Sequence, residues 1–178
     1  MSSRPKRRGS AAILIVFGGL PGVGKTELAR TLAAQLGATY LRIDAIEQAL
    51  RSSEVLAGEV GPAGYLVAYP LAESNLRLGR VVVADCVNPL AVTRDAWRQA
   101  AERAGSRIVE IEVICSDRAE HRRRVETRST DVSGLKLPSW DDVLRRDYEP
   151  WDRSRIVIDT AARTVAEALA ELRSCIDG

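Results

Sequence analysis

The sequence predicts an α/β fold in which a five-stranded parallel sheet lies between two layers of helices. Strand-like apolar runs alternate with helix-like patterns along the 178 residues, as is typical of a parallel sheet covered on both faces. The chain is 46% hydrophobic and shows neither an internal repeat nor a linker, so its length suits one buried core. We therefore expect one domain over residues 11–178, preceded by a disordered basic leader at residues 1–10.

The first half of the chain contains three predicted strands, which are apolar and rich in β-branched residues: 12–17, 39–43 and 80–85. After the first strand, leucines repeat at helical spacing until Gly37 ends the pattern. Helical patterns also follow the second strand, in DAIEQALRS, and cover residues 65–78. The segment 54–64 between them holds three glycines and a proline and is predicted to be a loop.

The second half continues the alternation. A helix is predicted at 91–104 and a strand at 107–115, and Ser116 with Asp117 then forms a start signal for a charged helix. A loop is expected at 129–139, followed by a short helix in WDDVLRRDY. The last strand is predicted at 155–159 and an amphipathic helix at 164–176.

The segment FGGLPGVGKT directly after the first strand contains the phosphate-binding pattern G-x-x-x-x-G-K-[ST]. Glycines allow consecutive backbone N–H groups to turn toward phosphate oxygens, and the following helix adds the positive end of its dipole. Lys25 would reach the β- and γ-phosphates of a nucleotide, and the Thr26 hydroxyl would bind Mg²⁺. The predicted nucleotide contacts are consecutive: Gly19, Leu20, Pro21, Gly22, Val23, Gly24, Lys25, Thr26 and Glu27.

An acidic residue at the end of the third strand narrows the reaction. Asp85 ends a hydrophobic run, which is typical of the carboxylate that organises Mg²⁺ directly or through water. Cys86 follows it, whereas motor and remodelling ATPases usually carry a glutamate there to activate water. The chain is also too short for their additional helical domain. The sequence therefore favours phosphoryl transfer to a bound acceptor over ATP-driven motion.

Three further stretches accompany the glycine-rich loop: LRIDAIEQAL, VVVADCVNPLAVTRDAW and HRRRVETR. Together they resemble the small P-loop kinases of the AAA_33 and zeta-toxin type, and in particular the 5′-kinase domains of polynucleotide kinases. Chloramphenicol phosphotransferase, gluconate kinase and shikimate kinase are similar at a greater distance. Over residues 12–160 this resemblance implies a P-loop NTPase fold with the sheet order 2-3-1-4-5. It also implies ATP and Mg²⁺ as cofactors and a mobile lid at about residues 118–139.

Asp44 is the predicted catalytic base. It lies 19 residues after Lys25, and in the resembling kinases an aspartate there accepts the proton of the attacking hydroxyl. A carboxylate at the carboxyl end of a strand would also face the crevice where ligands bind in such sheets. Because Asp44 immediately precedes a helical pattern, capping of that helix is the alternative interpretation.

The acceptor pocket is expected around Asp44, Asp85 and the segment 54–71, which includes Tyr65 and Tyr69. The polynucleotide kinases carry an arginine three residues after the aspartate, where this chain has Glu47. An acidic side chain there suits a hydroxyl-rich, neutral or cationic acceptor. A polynucleotide acceptor stays open, because Arg42 and Arg51 are placed to compensate for that charge.

The arginine-rich stretch DRAEHRRRVETR is predicted to stabilise the transferring phosphoryl group. Arg124 and Arg128 are one helical turn apart, with His121 on the same stripe, and a guanidinium binds phosphate oxygens in a bidentate manner. Arg118 and Arg122 are predicted to contact the nucleotide, and any of these arginines could stack on the adenine instead. The alternative is a solvated helix in which Glu120 pairs with Arg124.

We thus predict an ATP- and Mg²⁺-dependent kinase that transfers the γ-phosphate to a hydroxyl of a small molecule. The alternatives are a polynucleotide 5′-hydroxyl kinase and a nucleotide-binding regulatory ATPase. A net charge of +2 does not by itself indicate nucleic acid, and no stretch has the length of a membrane span. Three widely separated cysteines favour a reduced, cytoplasmic protein, expected as a monomer or homodimer.

Overall fold

The computed structural model describes residues 12–53 and 58–177. Its five strands form one parallel sheet in the order β2-β3-β1-β4-β5, which confirms the predicted fold and strand order. The strands are β1 (Ile13–Gly18), β2 (Thr39–Arg42), β3 (Val82–Asp85), β4 (Arg107–Ile114) and β5 (Ile156–Asp159). The predicted leader at residues 1–10 lies outside the described residues, and the domain limits stay a prediction.

Helices cover both faces of the sheet. They are α1 (Lys25–Leu36), α2 (Ile43–Ser52), α3 (Ala63–Arg77), α4 (Ala91–Arg103), α5 (Arg118–Thr127), α6 (Trp140–Leu144) and α7 (Val165–Asp177). One core joins α1 and α7 to the sheet, and a second core joins α3 and α4 to its other face. Among the described residues, no helix has both the length and the apolar character needed to cross a membrane.

The central strand β1 explains why its sequence is apolar without alternation. Ile15 and Phe17 lie in the core shared with α1 and α7, whereas Leu14 and Val16 lie in the core shared with α3 and α4. All four side chains are at most 1% exposed. Since both faces of a parallel sheet are covered, neither face of the strand has polar positions.

The register brings the ends of three strands together at one edge of the sheet. Phe17 of β1 pairs with Asp85 of β3, and Asp85 pairs with Arg42 of β2. Because the strands are parallel, the glycine-rich segment, Asp85 and the start of α2 follow these ends on the same side. This is the carboxyl edge where open α/β sheets bind ligands.

Two helix boundaries differ from the sequence-based prediction in ways that affect the site. Strand β2 ends at Arg42, so Asp44 is the second residue of α2 and does not cap it, and the capping interpretation is wrong. Arg42 takes the N-cap position with an extended backbone and no side-chain cap bond. Helix α5 ends at Thr127, and Arg128 follows in an extended conformation with φ −69° and ψ 149°. Arg128 is therefore not on the helical stripe predicted for it.

Candidate active site

The glycine-rich segment between β1 and α1 has a backbone that depends on glycine. Gly19, Gly22 and Gly24 have φ values of 139°, 88° and 93°. A Cβ atom at Gly19 would lie 2.3 Å from the carbonyl oxygen of Val113, which leaves no room for a side chain. Gly24 forms the left-handed N-cap of α1. The N–H groups of the first turn, which have no partner within the helix, are therefore available to an anion at this point.

A cleft of about 1370 Å³ lies at this edge of the sheet. It is larger than the roughly 300–1,000 Å³ usual for one small ligand, so it has room for a nucleotide and an acceptor together. Six of the nine predicted nucleotide contacts line it: Pro21, Gly22, Gly24, Lys25, Thr26 and Glu27. The other three lie behind, because Gly19 abuts β4 and both Leu20 and Val23 pack among apolar side chains.

Helix α5 is packed directly on the glycine-rich segment. The Nε2 atom of His121 donates to the carbonyl oxygen of Pro21 at 2.8 Å, and the imidazole stacks edge-on against Trp140 at 5.1 Å. A Cβ atom at Gly22 would lie 2.4 Å from Val125, so the helix and the loop touch there. His121 and Val125 are the buried residues of α5, and their role is to hold this helix against the loop.

Arg124 connects α5 to the glycine-rich segment through Thr160. Its Nη1 and Nη2 atoms donate to the hydroxyl and carbonyl oxygens of Thr160 at 2.8 and 2.9 Å, and the Thr160 hydroxyl donates to the Val23 carbonyl at 2.8 Å. Glu120 accepts a further bond from Arg124 at 2.5 Å, so the predicted helical pair is present. Arg124 also lines the cleft, with Nη1 about 3.8 Å from the Cβ position of Gly24. The guanidinium thus lies beside the phosphate loop.

Asp44 and Glu47 also line the cleft, on the wall formed by α2. Burial raises the pKa of Glu47, and the neighbouring charge of Asp44 raises it further, while Arg51 opposes both. Arg51 pairs with Glu47 at 3.3 Å. Gly64 of α3 packs against the Glu47 side chain, because a Cβ atom at Gly64 would lie 2.4 Å from Glu47 Cγ. Glu47 is therefore held against α3 and paired with Arg51.

Arg128 lies in the cleft near Asp44. Its Nε and Nη2 atoms are buried and have no hydrogen-bond partner among the described residues. Burial lowers the pKa of this guanidinium, the nearby Asp44 carboxylate opposes that shift, and Arg146 adds to it. The structure therefore places Arg124 at the phosphate loop and Arg128 at the wall that carries Asp44.

Asp85 is buried at the end of β3 and does not line the cleft. The Tyr40 hydroxyl donates to its Oδ2 atom at 2.8 Å, and Arg42 Nε lies 4.0 Å from the same oxygen. Burial and the negative charge of Asp85 raise the pKa of Tyr40, which keeps that hydroxyl a donor. The sequence pattern did not indicate either partner.

The site's donor set suits a Mg²⁺ ion that is shared with a nucleotide. In the described ranges, no three or more His, Cys, Asp or Glu side chains cluster so that they could hold a metal ion on their own. Thr26 offers a hydroxyl in the cleft, and Asp85 offers a buried carboxylate at the end of β3. Magnesium commonly takes one or two protein ligands and fills its octahedron with phosphate oxygens and water. Thr26 and Asp85 thus fit such an ion, with Asp85 acting through water.

The loop at 129–139 lies across the cleft. Asp131 accepts a hydrogen bond of 2.6 Å from Arg42 and lies 3.4 Å from Arg30 of α1, and the Arg42 contact holds the pKa of Asp131 below its usual range. At Gly134 a Cβ atom would lie 3.0 Å from Gln48 of α2. The loop therefore bridges to the walls formed by β2, α1 and α2. Sequence reasoning missed this bridge, because its partners are far apart in the chain.

Of the other predicted site residues, Tyr65 lines the cleft, whereas Tyr69, Arg118 and Arg122 do not. Tyr65 lines it and accepts a hydrogen bond of 2.9 Å from the Asn88 N–H. Tyr69 does not line it, because its ring packs edge-on against Trp97 at 4.7 Å in the core. Arg118 and Arg122 are exposed and also outside the cleft, and Arg122 pairs with Glu126 at 2.8 Å. Their contact with a nucleotide stays a prediction.

Arg94 supports the cleft from behind. It is fully buried and donates to the backbone carbonyls of Asn88, Pro89, Glu149 and Pro150 at 2.6–3.2 Å, with its guanidinium 4.3 Å from the centre of the Trp151 ring. These bonds fix the turn after β3, where Asn88 has a φ of 51°. The R-x-x-W pattern in the sequence is thus structural here, because Trp97 is also fully buried.

Comparisons with known proteins agree with this architecture. The AAA_33 family, described as an AAA domain, matches residues 14–150, and no curated protein matches the chain in sequence. Among solved structures, the APS kinase CysC of Mycobacterium tuberculosis, in complex with AMPPNP and APS, is 18% identical with a TM-score of 0.68. That match covers 94% of this chain and 99% of the kinase.

Two further solved structures have similar values. A gluconokinase from Sinorhizobium meliloti is 21% identical with a TM-score of 0.61, covering 96% of this chain and 98% of its own. Kti12 of Chaetomium thermophilum, in complex with ADP-AlF3, is 21% identical with a TM-score of 0.67, covering 93% and 100%. At these identities the similarity establishes the shared P-loop kinase fold.

Proposed function

The chain belongs to the AAA_33 family, and we propose that it is an ATP- and Mg²⁺-dependent phosphotransferase that phosphorylates a hydroxyl of a small molecule. One observation carries this proposal. Lys25 and Arg124 at the phosphate loop, and Asp44 on α2, line the same cleft at the carboxyl edge of the sheet. Cationic groups for a donor phosphate thus share this cleft with a carboxylate suited to deprotonate an acceptor.

On the donor side, the backbone N–H groups between Gly19 and Thr26 bind the β- and γ-phosphates of ATP. Lys25, which is 6% exposed, neutralises their charge, and Arg124 approaches the γ-phosphate from α5. Because Arg124 is fixed by Thr160 and Glu120, its guanidinium needs little reorganisation during transfer. When bound, Mg²⁺ would be held by Thr26 and, through water, by Asp85, and it would supply positive charge that neutralises the charge developing on the phosphates.

On the acceptor side, Asp44 accepts the proton of the attacking hydroxyl. The hydroxyl oxygen forms a bond to the γ-phosphorus, the bond from that phosphorus to the β–γ bridging oxygen breaks, and ADP leaves with the electron pair. The products are a phosphate monoester, ADP and a proton, which Asp44 passes to solvent. The loop at 129–139 would exclude water from the closed cleft, and thereby limit hydrolysis of ATP.

The experiment is ADP production from ATP and Mg²⁺ across nucleosides, sugars, aminoglycosides and short oligonucleotides, with Lys25→Ala as the blank. Strong stimulation by one class of small hydroxyl compound, absent in Lys25→Ala, is the expected result. Stimulation by oligonucleotides alone would replace the proposal with a polynucleotide 5′-hydroxyl kinase. No stimulation by any compound, over a slow Lys25-dependent rate, would contradict it.

A regulatory ATPase without a small acceptor is the second candidate, and the likeness to Kti12 bound to ADP-AlF3 favours it. In that case the loop at 129–139 would change position with the nucleotide state and present a surface to a protein. The two functions differ in one observable. A kinase releases ADP faster when its acceptor is added, whereas a regulatory ATPase turns over at a rate that small hydroxyl compounds do not change.

A further inference from the structure

Near Asp44 and Glu47 of α2, the cleft also has positive charge that the donor site does not use. Among the described residues that line the cleft, eight side chains are basic and five are acidic. Among the described residues most arginines there have a partner: Arg30 pairs with Glu27, Arg42 with Asp131, Arg51 with Glu47 and Arg124 with Glu120. Arg128 and Arg146 make no ion pair within 4.0 Å in that part of the chain, although both line the cleft. They are the arginines whose charge is left for a ligand.

Arg128 presents the edge of a guanidinium that suits an oxyanion. Its two unpartnered atoms, Nε and Nη2, are neighbours on one edge, and such an edge binds two oxygens of a phosphate, sulfate or carboxylate in parallel. A buried donor without a partner is costly, and the cost is greater for a charged group. An anionic group reaching this edge as the loop at 129–139 moves would remove that cost.

Arg146 adds positive charge beside Arg128. It follows α6, and its charge lowers the pKa of both Arg128 and Glu47. The two arginines and the two carboxylates of α2 therefore lie in one part of the cleft. Arg51 pairs with Glu47 and offsets its negative charge, and burial disfavours the charged form of that carboxyl. Two neighbouring cations repel each other, and a bound anion converts that repulsion into attraction.

We propose that Arg128 and Arg146 form an oxyanion subsite for the acceptor, so that the substrate is a small alcohol carrying a phosphate, sulfate or carboxylate group. The inference rests on the proposed kinase function and reverses the expectation of a neutral or cationic acceptor drawn from Glu47. The anion anchors the acceptor on the α2 wall, and its hydroxyl meets Asp44. Arg124 remains the arginine of the donor phosphate.

Sulfate binding tests the subsite directly. The protein is first loaded with Mg²⁺ and the β,γ-imido analogue of ATP, so that the γ-phosphate position is filled, and sodium sulfate is titrated by calorimetry at constant ionic strength. Saturable binding is expected, about tenfold or more weaker in Arg128→Gln and in Arg146→Gln. The matched control is Arg145→Gln, which changes the neighbouring exposed arginine outside the cleft and is expected to bind sulfate like the wild type.

The outcomes separate the subsite from the kinase function. Equal sulfate affinity in all four proteins, or no saturable binding to the loaded wild type, overturns the subsite even if ADP production succeeds. Loss of analogue binding in Arg128→Gln would show a donor role for this arginine and also overturn it. Arg146→Gln keeps the test decisive should Arg128→Gln fail to fold, because Arg146 is exposed.

Matched acceptors then identify the anion. Glycerol, glycerol phosphate, glycerol sulfate and glycerate share hydroxyl groups and differ in charge, so ADP production with each compares the three anions with the neutral parent. Higher kcat/KM for an anionic member, lost in Arg146→Gln and kept in Arg145→Gln, supports the proposal. Equal kcat/KM for glycerol and the anions, or activity with oligonucleotides alone, overturns it.

Discussion

Arg42 donates a hydrogen bond of 2.6 Å to Asp131, and so ties the end of β2 to the loop that covers the cleft. The same guanidinium has Nε 4.0 Å from Asp85, the carboxylate predicted to organise Mg²⁺. One side chain therefore lies between the sheet edge that would bind the metal and the loop that would exclude water. This contact ties the loop at 129–139 to the end of β2.

Replacing Asp131 with asparagine tests whether its bond to Arg42 holds the loop, because the amide keeps the shape of the side chain and removes its charge. Exposed ion pairs contribute about 0.2–1 kcal/mol, and the Asp131 side chain is 58% exposed, so the opening equilibrium should shift by up to about fivefold. Backbone amides at 129–137 should exchange hydrogen faster in Asp131→Asn than in the wild type. Asp152→Asn, which alters an exposed pair with Arg153, is the control. Unchanged exchange in the loop would show that Asp131 does not hold it.

The phosphate loop offers a pair of glycines for a matched comparison. Gly19 and Gly37 both have positive φ, but a Cβ atom at Gly19 meets the Val113 carbonyl at 2.3 Å, whereas Gly37 has open space around it. Gly37→Ala should cost only the strain of a left-handed alanine, about 1 kcal/mol in unfolding free energy. Gly19→Ala should cost more and should also abolish binding of the ATP analogue. Equal losses of stability with binding retained in Gly19→Ala would refute the assigned backbone geometry.

The raised pKa of Glu47 predicts a pH-dependent effect of Glu47→Gln. When a carboxyl has a higher pKa in the folded than in the unfolded state, the free energy of unfolding of the protein falls as the pH rises. The reason is that the unfolded chain gives up that proton at a lower pH than the folded protein does. The raised pKa puts Glu47 in this class. The free energy of unfolding of Glu47→Gln, relative to that of the wild type, should therefore increase as the pH rises above about 4.3, the ordinary glutamate pKa. Urea titrations between pH 4 and pH 7 measure this difference.

The control for that titration is Glu126→Gln, which changes an exposed glutamate that also pairs with an arginine one turn away. Its difference from the wild type should stay nearly constant over the same pH range. If Glu47→Gln behaves in the same way, burial does not disfavour the charged form of Glu47.

Much of the fold follows from local patterns in the sequence. The five strands are recognisable because both faces of β1 and β3 are buried, which requires uninterrupted apolar residues such as Leu14 to Phe17. The start of α5 was also predictable, because Asp117 accepts hydrogen bonds from the first N–H groups of the helix at 2.9 and 3.0 Å. Helix ends were less predictable, and Arg128 left the helix at a point that no glycine or proline marks.

Part of the candidate site can likewise be predicted from the sequence, and part depends on the fold. The phosphate loop is a contiguous motif, so spacing alone identifies Lys25 and Thr26. The contacts of Tyr40 with Asp85 and of Arg42 with Asp131 join residues 45 and 89 positions apart, and only the register of the sheet and the course of the loop bring them together. Tyr69 could not be distinguished from Tyr65 by sequence, since the rotation of α3 decides which ring faces Trp97 and which faces the cleft.

Asp44 is central to the proposed chemistry, and its replacement separates binding from transfer. Asp44→Asn preserves the size of the side chain and removes its ability to accept a proton, so transfer should fall by about 10²–10⁴-fold. Binding of the ATP analogue should stay unchanged, because Asp44 lies on α2 and is not part of the phosphate loop before α1.

The most direct measurement follows the γ-phosphate of ³²P-labelled ATP during one turnover with the stimulating acceptor. We expect the label to enter an organic phosphate monoester in the wild type, and we expect Asp44→Asn to bind ATP but to form this product far more slowly. Label found only in inorganic phosphate, released at the same rate by both proteins, would contradict phosphoryl transfer in this cleft.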